Sequence, residues 1–393
     1  MMSDGGPPTV VSIAERAGVS IASVSRVLNG VGARPETVRR VERAAAELGY
    51  VPNAVAQSLK GGRTKQLTFA MQDIGNPVYV AMVRQIQAVT RAAGYRLLLH
   101  STDAVIEEEL AVVRSLGDRT SDGLILCPIR ITPEHVEVLT AAAGPVVVIG
   151  SLPGRVPVDA VQADSVRGAR LAVTHLAESG RRRIAFVNGP VDTVPGHNRR
   201  QGYLKALAES GVVPDPALER ATSFGLAAGR EALHDLLEAG AAPDAVFCAN
   251  DQLALGAAQA AHERGLRIPE DLAVAGMDDS ELARACWPPL TSVDLGSEER
   301  GRTAARMLLE RLTDTDRADD GAEADGPGAA RRVTTSPRLV VRASSDPSVP
   351  AVAPGPPAPA DVSNPPASST PPGPPAAPVV PEAGTTGARG GRP

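Results

Sequence analysis

The sequence predicts an α/β protein in which a small helical domain precedes two doubly wound, parallel-sheet lobes. Two observations carry this. Residues 9–50 hold short helical periods broken by turn signals, with no strand alternation. From Leu67 onward, buried apolar runs (LTFAM, YRLLL, GLILC, VVVIG, RIAFV, AVFCA and LAVAG) alternate with amphipathic helices, the pattern of parallel sheet covered on both faces. At about 150 residues per domain, a chain of 393 residues has room for two or three domains.

Taken in order, Thr9 is a good N-cap for a first helix that buries Ile13 and Ala14 and stops at Gly18. Ser20 can cap a second, over residues 21–28, on which Val24, Val27 and Leu28 share one side while Ala22, Ser25 and Arg26 lie elsewhere. Pro35, suited to the first helical position, opens a third that runs through Val38, Val41, Ala45 and Leu48 to Gly49. Three short helices with a tight Gly-Val-Ser turn between the first two outline a helix-turn-helix. A recognition helix needs one buried side to hold it and short or cationic residues outside, so that its N-terminal half can enter a major groove about 12 Å wide. Residues 21–28 have that division.

Beyond Leu67, helices are expected at residues 78–93, 165–179, 198–210 and 251–264, and ligands bind such sheets at the carboxyl ends of the strands. The acidic, Gly-rich stretch 314–330 is expected to be an exposed loop, before RLVVRAS supplies a last strand. Residues 346–393 are Pro, Ala, Gly and Ser with almost no large apolar side chain, too little to offset the cost of ordering, and are expected to be a disordered tail. Residues 1–8 are expected to be a disordered N-terminus.

Aromatic residues make up only 2% of the chain, so the core must come from Ala, Val, Leu and Ile. The net charge of -5 is unevenly placed, +4 on the first 65 residues and -9 on the rest, which confines any polyanion-binding role to the N-terminal part. Cys127, Cys248 and Cys286 are far apart and set in apolar surroundings, as expected of reduced core thiols. With no charged-then-apolar leader and no apolar run near the ~20 residues needed to span a bilayer, the protein is expected to remain cytoplasmic, without a membrane partner.

The segment TVVSIAERAGVSIASVSRVLNG, followed by ERAAAELGYVPNAVAQSLKGG, resembles the signature of the lactose/galactose repressor (LacI/GalR) family. The resemblance continues through DIGNPVY, VQADSVRGARLAVTHLAESGRRRIAFVNGP, NRRQGY, ANDQLALGA and VAGMDD to PPLTSV, and covers roughly residues 9–345. It implies a transcription repressor that binds near-palindromic operator DNA as a homodimer under the control of a small metabolite, such as a sugar or related compound. It also implies a helix-turn-helix domain over 9–51, a hinge helix and linker over 52–64, and a two-lobed, periplasmic-binding-protein-like effector and dimerisation domain over 65–345.

By that resemblance Ile21, Ala22 and Arg26 are base-reading positions, with Ser20, Ser25 and Asn29 beside them at the DNA. Arg26 can form a bidentate contact with a guanine, whereas Ile21 and Ala22 offer only apolar contacts such as a thymine methyl. The segment PNAVAQSLK is too short to persist as an isolated helix. The resemblance implies that it folds when two copies pair in the minor groove, with Leu59 wedged between base pairs and Asn53, Val55, Gln57 and Lys60 also at the DNA.

For the effector, the resemblance carries over Asp73, Tyr79, Asp164, Arg199, Phe224, Asn250 and Asp278. Carboxylates, an amide and a guanidinium suit hydroxyls and heteroatoms, and Phe224 can stack on a sugar or purine face. On the residues alone, Asp278 and Asp251 equally suit helix caps, Arg199 a surface ion pair and Phe224 the core. The chain also departs from the family pattern. Ser12 stands for the usual acid, Arg34 for the Ser/Thr cap before Pro35, Gln57 for a frequent arginine, and Val78 for the usual Phe, which alters one wall of the pocket.

Two other functions compete. A solute-binding protein for transport has two such lobes, but it needs an export signal and has no use for a helix-turn-helix. An enzyme could use the acid pair Asp278 and Asp279, yet the sequence has no phosphate-cradling glycine loop, no GxSxG elbow and no metal spacing among its six histidines and three cysteines. No catalytic residue, cofactor or metal is expected.

Overall fold

The computed structural model of the chain describes residues 8–28, 32–51, 63–154, 156–319 and 329–350. The N-terminal domain holds helices α1 (Val10–Ala17), α2 (Ile21–Leu28) and α3 (Pro35–Leu48). Thr9 caps α1, and Ser12 completes a capping box in place of an acid: its hydroxyl oxygen accepts the Thr9 N–H at 2.7 Å. At the other end Gly18 turns left-handed with φ 61°, and Arg40 of α3 donates to the Ala17 and Gly18 carbonyls at 2.5 and 3.0 Å, so a cation meets the negative end of the helix. Ile13, Ala14, Ala17, Val24, Val41 and Ala44 form the shared core. Arg34 makes no side-chain cap on α3, whose start relies on Pro35.

Lobe 1 contains strands β1 (Gln66–Met71), β2 (Arg96–Ser101), β3 (Gly123–Cys127), β4 (Val146–Ile149) and β5 (Asp159–Ala163), with helices α4 (Pro77–Ala92), α5 (Ile106–Arg114) and α6 (Pro133–Thr140). The chain then enters lobe 2, with α7 (Ser165–Glu178), β6 (Ile184–Asn188), α8 (Val194–Glu209), β7 (Glu219–Ala221), α9 (Leu226–Glu238), β8 (Ala245–Cys248), α10 (Asp251–Glu263), β9 (Ala273–Met277), α11 (Glu281–Ala285) and β10 (Thr291–Asp294). It returns to lobe 1 for α12 (Ser297–Asp319) and β11 (Arg332–Thr335), and crosses once more to place β12 (Arg338–Val340) in lobe 2.

The sheet orders are β11-β5-β4-β3-β1-β2 and β12-β10-β9-β8-β6-β7. Every pairing is parallel except β10 with β12. Strand β3 is buried along its whole length, as a sheet clad on both faces requires. In lobe 1, Met82 and Ile86 of α4 meet Ala304 and Leu308 of α12 on one face, and Val112, Val113 and Leu139 cover the other. In lobe 2, helices α9 and α10 approach so closely that a Cβ on Gly256 would lie 2.0 Å from the Leu226 carbonyl oxygen.

At the three crossings Thr335 is a common anchor. Its hydroxyl donates to the Leu295 carbonyl at 2.9 Å, and its own carbonyl accepts the Asp164 N–H at 3.4 Å. The three cysteines are free and buried, and burial pushes the thiols up, to about 12 for Cys127 and about 11 for Cys286. Among the described residues no helix is long and apolar enough to cross a membrane, and no group of acidic, His or Cys side chains is arranged to hold a metal ion.

Three expectations need correction. The helix expected from residue 198 begins at Val194, because Thr193 caps it by accepting the Gly196 N–H at 3.1 Å and Pro195 sits in its first turn. Residues 314–319 are not loop: they complete α12, whose buried stripe runs through Leu308 and Leu312, and the sequence has no Gly or Pro to stop it before Gly321. Residues 320–328 lie outside the described residues. Finally, residues 346–350 carry a turn in which Asp346 accepts the Ser348 N–H at 2.9 Å and its hydroxyl at 2.7 Å. The remainder of the expected tail, 351–393, lies outside the described residues.

Candidate functional site

The second helix of the N-terminal domain has one buried and one open side. Val24 is fully buried, whereas Ile21 is 50% exposed and Ala22 and Arg26 are exposed. Ser20 spends its hydroxyl as a cap, accepting the Ser23 N–H at 3.1 Å. Ser25 is half-buried. The helix therefore presents an apolar and a cationic side chain on a surface that its own domain leaves open. Asn29, Asn53, Val55, Gln57, Leu59 and Lys60 lie outside the described residues.

The second site is a cavity between the lobes, with ≈ 800 Å³ of open space including its mouth. It lies at the carboxyl ends of the strands where both sheet orders reverse, beside Cys127 of β3 and Asn250 after β8. The lobes touch around it. Val194 donates its N–H to the Ile129 carbonyl at 2.8 Å, Arg130 pairs with Asp192 at 2.8 Å and Arg84 with Glu281 at 2.9 Å.

Tyr79, Arg199, Phe224, Asn250 and Asp278 line this cavity. Arg199, 8% exposed, donates to the Ala249 carbonyl at 2.6 Å and lies 3.7 Å from the Asp278 carboxylate. Its guanidinium carbon stands 5.9 Å from the centre of the Phe224 ring. Asn250 is spent on structure: its amide nitrogen donates to the Phe224 carbonyl at 2.9 Å and its oxygen accepts the Leu253 N–H at 2.8 Å, capping α10. Tyr79 is buried, which raises its phenol pKa well above the ordinary value, so it remains a neutral donor.

Asp278 and Asp279 both take left-handed backbone angles, φ 109° and 48°, at a cost of order 1–3 kcal/mol each. Neighbours hold them there. Asp278 donates its N–H to the Val293 carbonyl at 2.8 Å, Asp279 donates to the Ser292 hydroxyl at 3.0 Å, and Arg342 holds the Asp279 carboxylate at 2.6 Å. The turn puts the Asp278 side chain in the cavity lining. Burial raises its pKa, while Arg199 and Arg300 pull it back down. Asp251 lies behind it, with its carboxylate accepting from Ser280 N–H, Ser280 hydroxyl and Ser292 hydroxyl at 2.7, 2.8 and 2.5 Å. Burial first, and the Asp278 charge second, raise the Asp251 carboxyl to about 7.

Asp73 and Asp164 do not line the cavity. Asp73 is exposed and turns back to accept the Gly75 N–H at 2.8 Å, and Asp164 caps α7 by accepting the Arg167 N–H at 2.9 Å. Each carboxylate is used by its own backbone. The sequence reading also missed lining residues, chiefly Arg300 of α12, with Gln72, Asn198 and Gln162. A signal for Arg300 was present, since it shares the i, i+4, i+8 stripe of Ala304 and Leu308, where a charge has to face something other than water.

Comparison with known proteins matches both regions of the chain. Residues 9–53 match the bacterial regulatory proteins of the lacI family, and residues 173–345 match a periplasmic binding protein-like domain. Catabolite control protein A of Priestia megaterium is 34% identical over 306 residues, which cover 77% of this chain and 92% of that relative. Among solved structures, the transcriptional regulator CelR in complex with cellobiose is similar with a TM-score of 0.63 at 32% identity, covering 86% of this chain and 99% of the other. The lac repressor dimer bound to operator and the anti-inducer ONPF is similar with a TM-score of 0.76 at 28% identity, again covering 86% and 99%. A helix-turn-helix with an open second helix, a two-lobed domain with a polar cavity and full-length relatives of the same construction lead to one conclusion: the chain belongs to the lacI family of bacterial regulatory proteins and is a DNA-binding transcriptional regulator rather than an enzyme.

Proposed function

We propose that this regulator is a cytoplasmic repressor that binds a near-palindromic operator as a homodimer and is controlled by a small polar metabolite bound between its lobes. The observation that carries the reading is the cavity, where Arg199 and Asp278 are buried 3.7 Å apart under lobes that already touch. A ligand there meets both lobes and is able to bias their relative position, the requirement for coupling to a distant DNA site. The relatives support it, one with cellobiose and one as an operator-bound dimer. A further support for the dimer is edge strand β2, whose Leu98 and Leu99 are 40% and 43% exposed. An open edge with apolar side chains invites a partner.

Within this reading, residues 9–51 contact the major groove, 52–64 act as the hinge, and 65–345 bind effector and the second protomer. Ser20, Ile21, Ala22, Ser25, Arg26 and Asn29 work in the major groove. Asn53, Val55, Gln57, Leu59 and Lys60 work in the minor groove. Tyr79, Arg199, Phe224 and Asp278 serve the effector directly, and Asn250 shapes the wall by capping α10 and holding Phe224. The test is selection of binding sites from a random DNA pool, followed by operator titration in the presence of metabolites that raise the thermal stability of the protein. An enriched inverted repeat whose affinity changes with one of those metabolites is expected. Binding without sequence preference, or an operator affinity indifferent to every stabilising metabolite, would overturn the reading.

A further inference from the structure

The charges in the cavity wall do not balance. Among the described lining residues the charged side chains are Arg199, Arg300 and Asp278, two guanidiniums against one carboxylate. Two further acids lie behind the wall and are held by other groups: Asp251, which acts on Arg199 only through space, accepts from Ser280 and Ser292, and Glu109 is paired with His135. Both guanidiniums are buried, Arg199 at 8% and Arg300 at 9% exposure, and the Nε of each has no hydrogen-bond partner. Arg300 donates from Nη2 to the Ser297 hydroxyl at 3.0 Å, an uncharged partner. Its charge is nonetheless felt at Tyr79, Cys127, Arg199 and Asp278, which locates it among the lining groups.

A buried cation without a counter-ion is costly, and an arginine carries five N–H donors that have to be satisfied. Asp278 can neutralise one of the two. A neutral sugar supplies hydroxyl acceptors but no charge, so it leaves the second cation uncompensated. A carboxylate or phosphate supplies both the charge and acceptors matched to the guanidinium fork.

We propose that the effector carries an anionic group, a carboxylate or a phosphate, seated against Arg300 and Arg199, with its polar remainder toward Asn198 and Gln162. This rests on the reading of the cavity as the effector site. The anion completes the charge balance of the wall and ties α12, which packs in lobe 1, to α8 of lobe 2.

The test is thermal stability and calorimetric titration of the full chain with glucose, glucuronate, gluconate, glycerol phosphate and inorganic phosphate at constant ionic strength. At least one of the anionic probes is expected to bind about tenfold or more tightly than glucose, with carboxylate and phosphate arms showing which group is preferred. Arg300→Gln should abolish that preference and Arg300→Lys should keep part of it, whereas non-specific stabilisation by anions would persist in both. Glucose binding as well as the anions, an anion preference unchanged in Arg300→Gln, or no anionic probe binding at all would overturn the proposal. If Arg300→Gln is too unstable to use, the wild-type ranking of glucose against the acids decides it. Anion binding that depends on Arg300 but leaves operator affinity unmoved would preserve this inference and defeat the effector reading. A neutral ligand that controls the operator while the anions fail would do the reverse.

Discussion

The guanidinium of Arg199, on α8, stands 3.7 Å from the carboxylate of Asp278, in the left-handed turn after β9, and neither group is exposed by more than a tenth. At that distance the pair is in Coulombic contact but short of a good hydrogen bond, and the Arg199 Nε is still without a partner. The arrangement leaves both groups able to take up a ligand. Arg199→Ala is therefore expected to remove the coupling between effector and operator, typically about 1–3 kcal/mol, while operator affinity without effector stays close to wild type. Paired operator titrations with and without the stabilising metabolite check it. A retained effector response would show that Arg199 is structural.

Arg26→Ala should weaken operator binding by about 1–3 kcal/mol and relax preference at one base pair in each half-site. Because Arg26 is exposed, the melting temperature should not change. Equal losses on operator and random DNA would mean that the side chain touches only phosphate.

Asp251 gives a pH signature. Its folded carboxyl is raised to about 7, by burial first and by Asp278 second, while the unfolded value is about 3.9. The folded chain therefore holds a proton that the unfolded chain has lost. Stability should fall as pH rises from about 4 to about 7 and level off above. Asp251→Asn should flatten this slope, measured by thermal melting across that range. A slope identical to wild type would place its origin elsewhere.

Asp159 should behave in the opposite sense. Burial alone would raise its carboxyl, but hydrogen bonds from Arg311 and Arg331 overcome this and hold it at about 2. The stability it contributes is present above about pH 4 and is lost as pH falls toward 2. Asp159→Asn is expected to cost about 2–3 kcal/mol at neutral pH and progressively less in acid, as read by denaturant unfolding at a series of pH values. A penalty that does not shrink in acid would rule out the ionic explanation.

The local signals proved the most legible. Thr9, Gly18, Pro35 and Gly49 mark their helix ends because capping depends on backbone groups a few residues away. The apolar runs gave β1, β3 and β4 of the first sheet and β6, β8 and β9 of the second, since a buried parallel strand needs no distant information to be apolar, whereas the inner strands β5 (DAVQA) and β10 (TSVD) carry polar residues and were not read. Edge strands β7 and β11 were not legible: they are short and half-polar, and pairing alone defines them. The cavity shows the same division. Asp73, Asp164 and Asp278 look alike in sequence, but only the structure shows which carboxylates are consumed by neighbouring N–H groups and which one the Asp278 turn delivers to the interior. Arg300 was overlooked because only the packing of α12 against the other elements of the cavity reveals that this position lines it.

The repeated crossing between lobes also sets an order of assembly as the chain leaves the ribosome. Strands β1–β5 emerge first, yet their sheet is not finished until α12 and β11 follow, and the guanidiniums that hold Asp159 come from 152 and 172 residues further along. At roughly 5–20 residues per second, the nascent first lobe waits with one sheet edge open, one face without α12 and a carboxylate without its partners. The second lobe, by contrast, emerges through β10 almost without interruption and lacks only the short β12. The part made first is thus among the last to close, and a stall between β10 and β11 strands lobe 1 as the aggregation-prone half of the nascent protein.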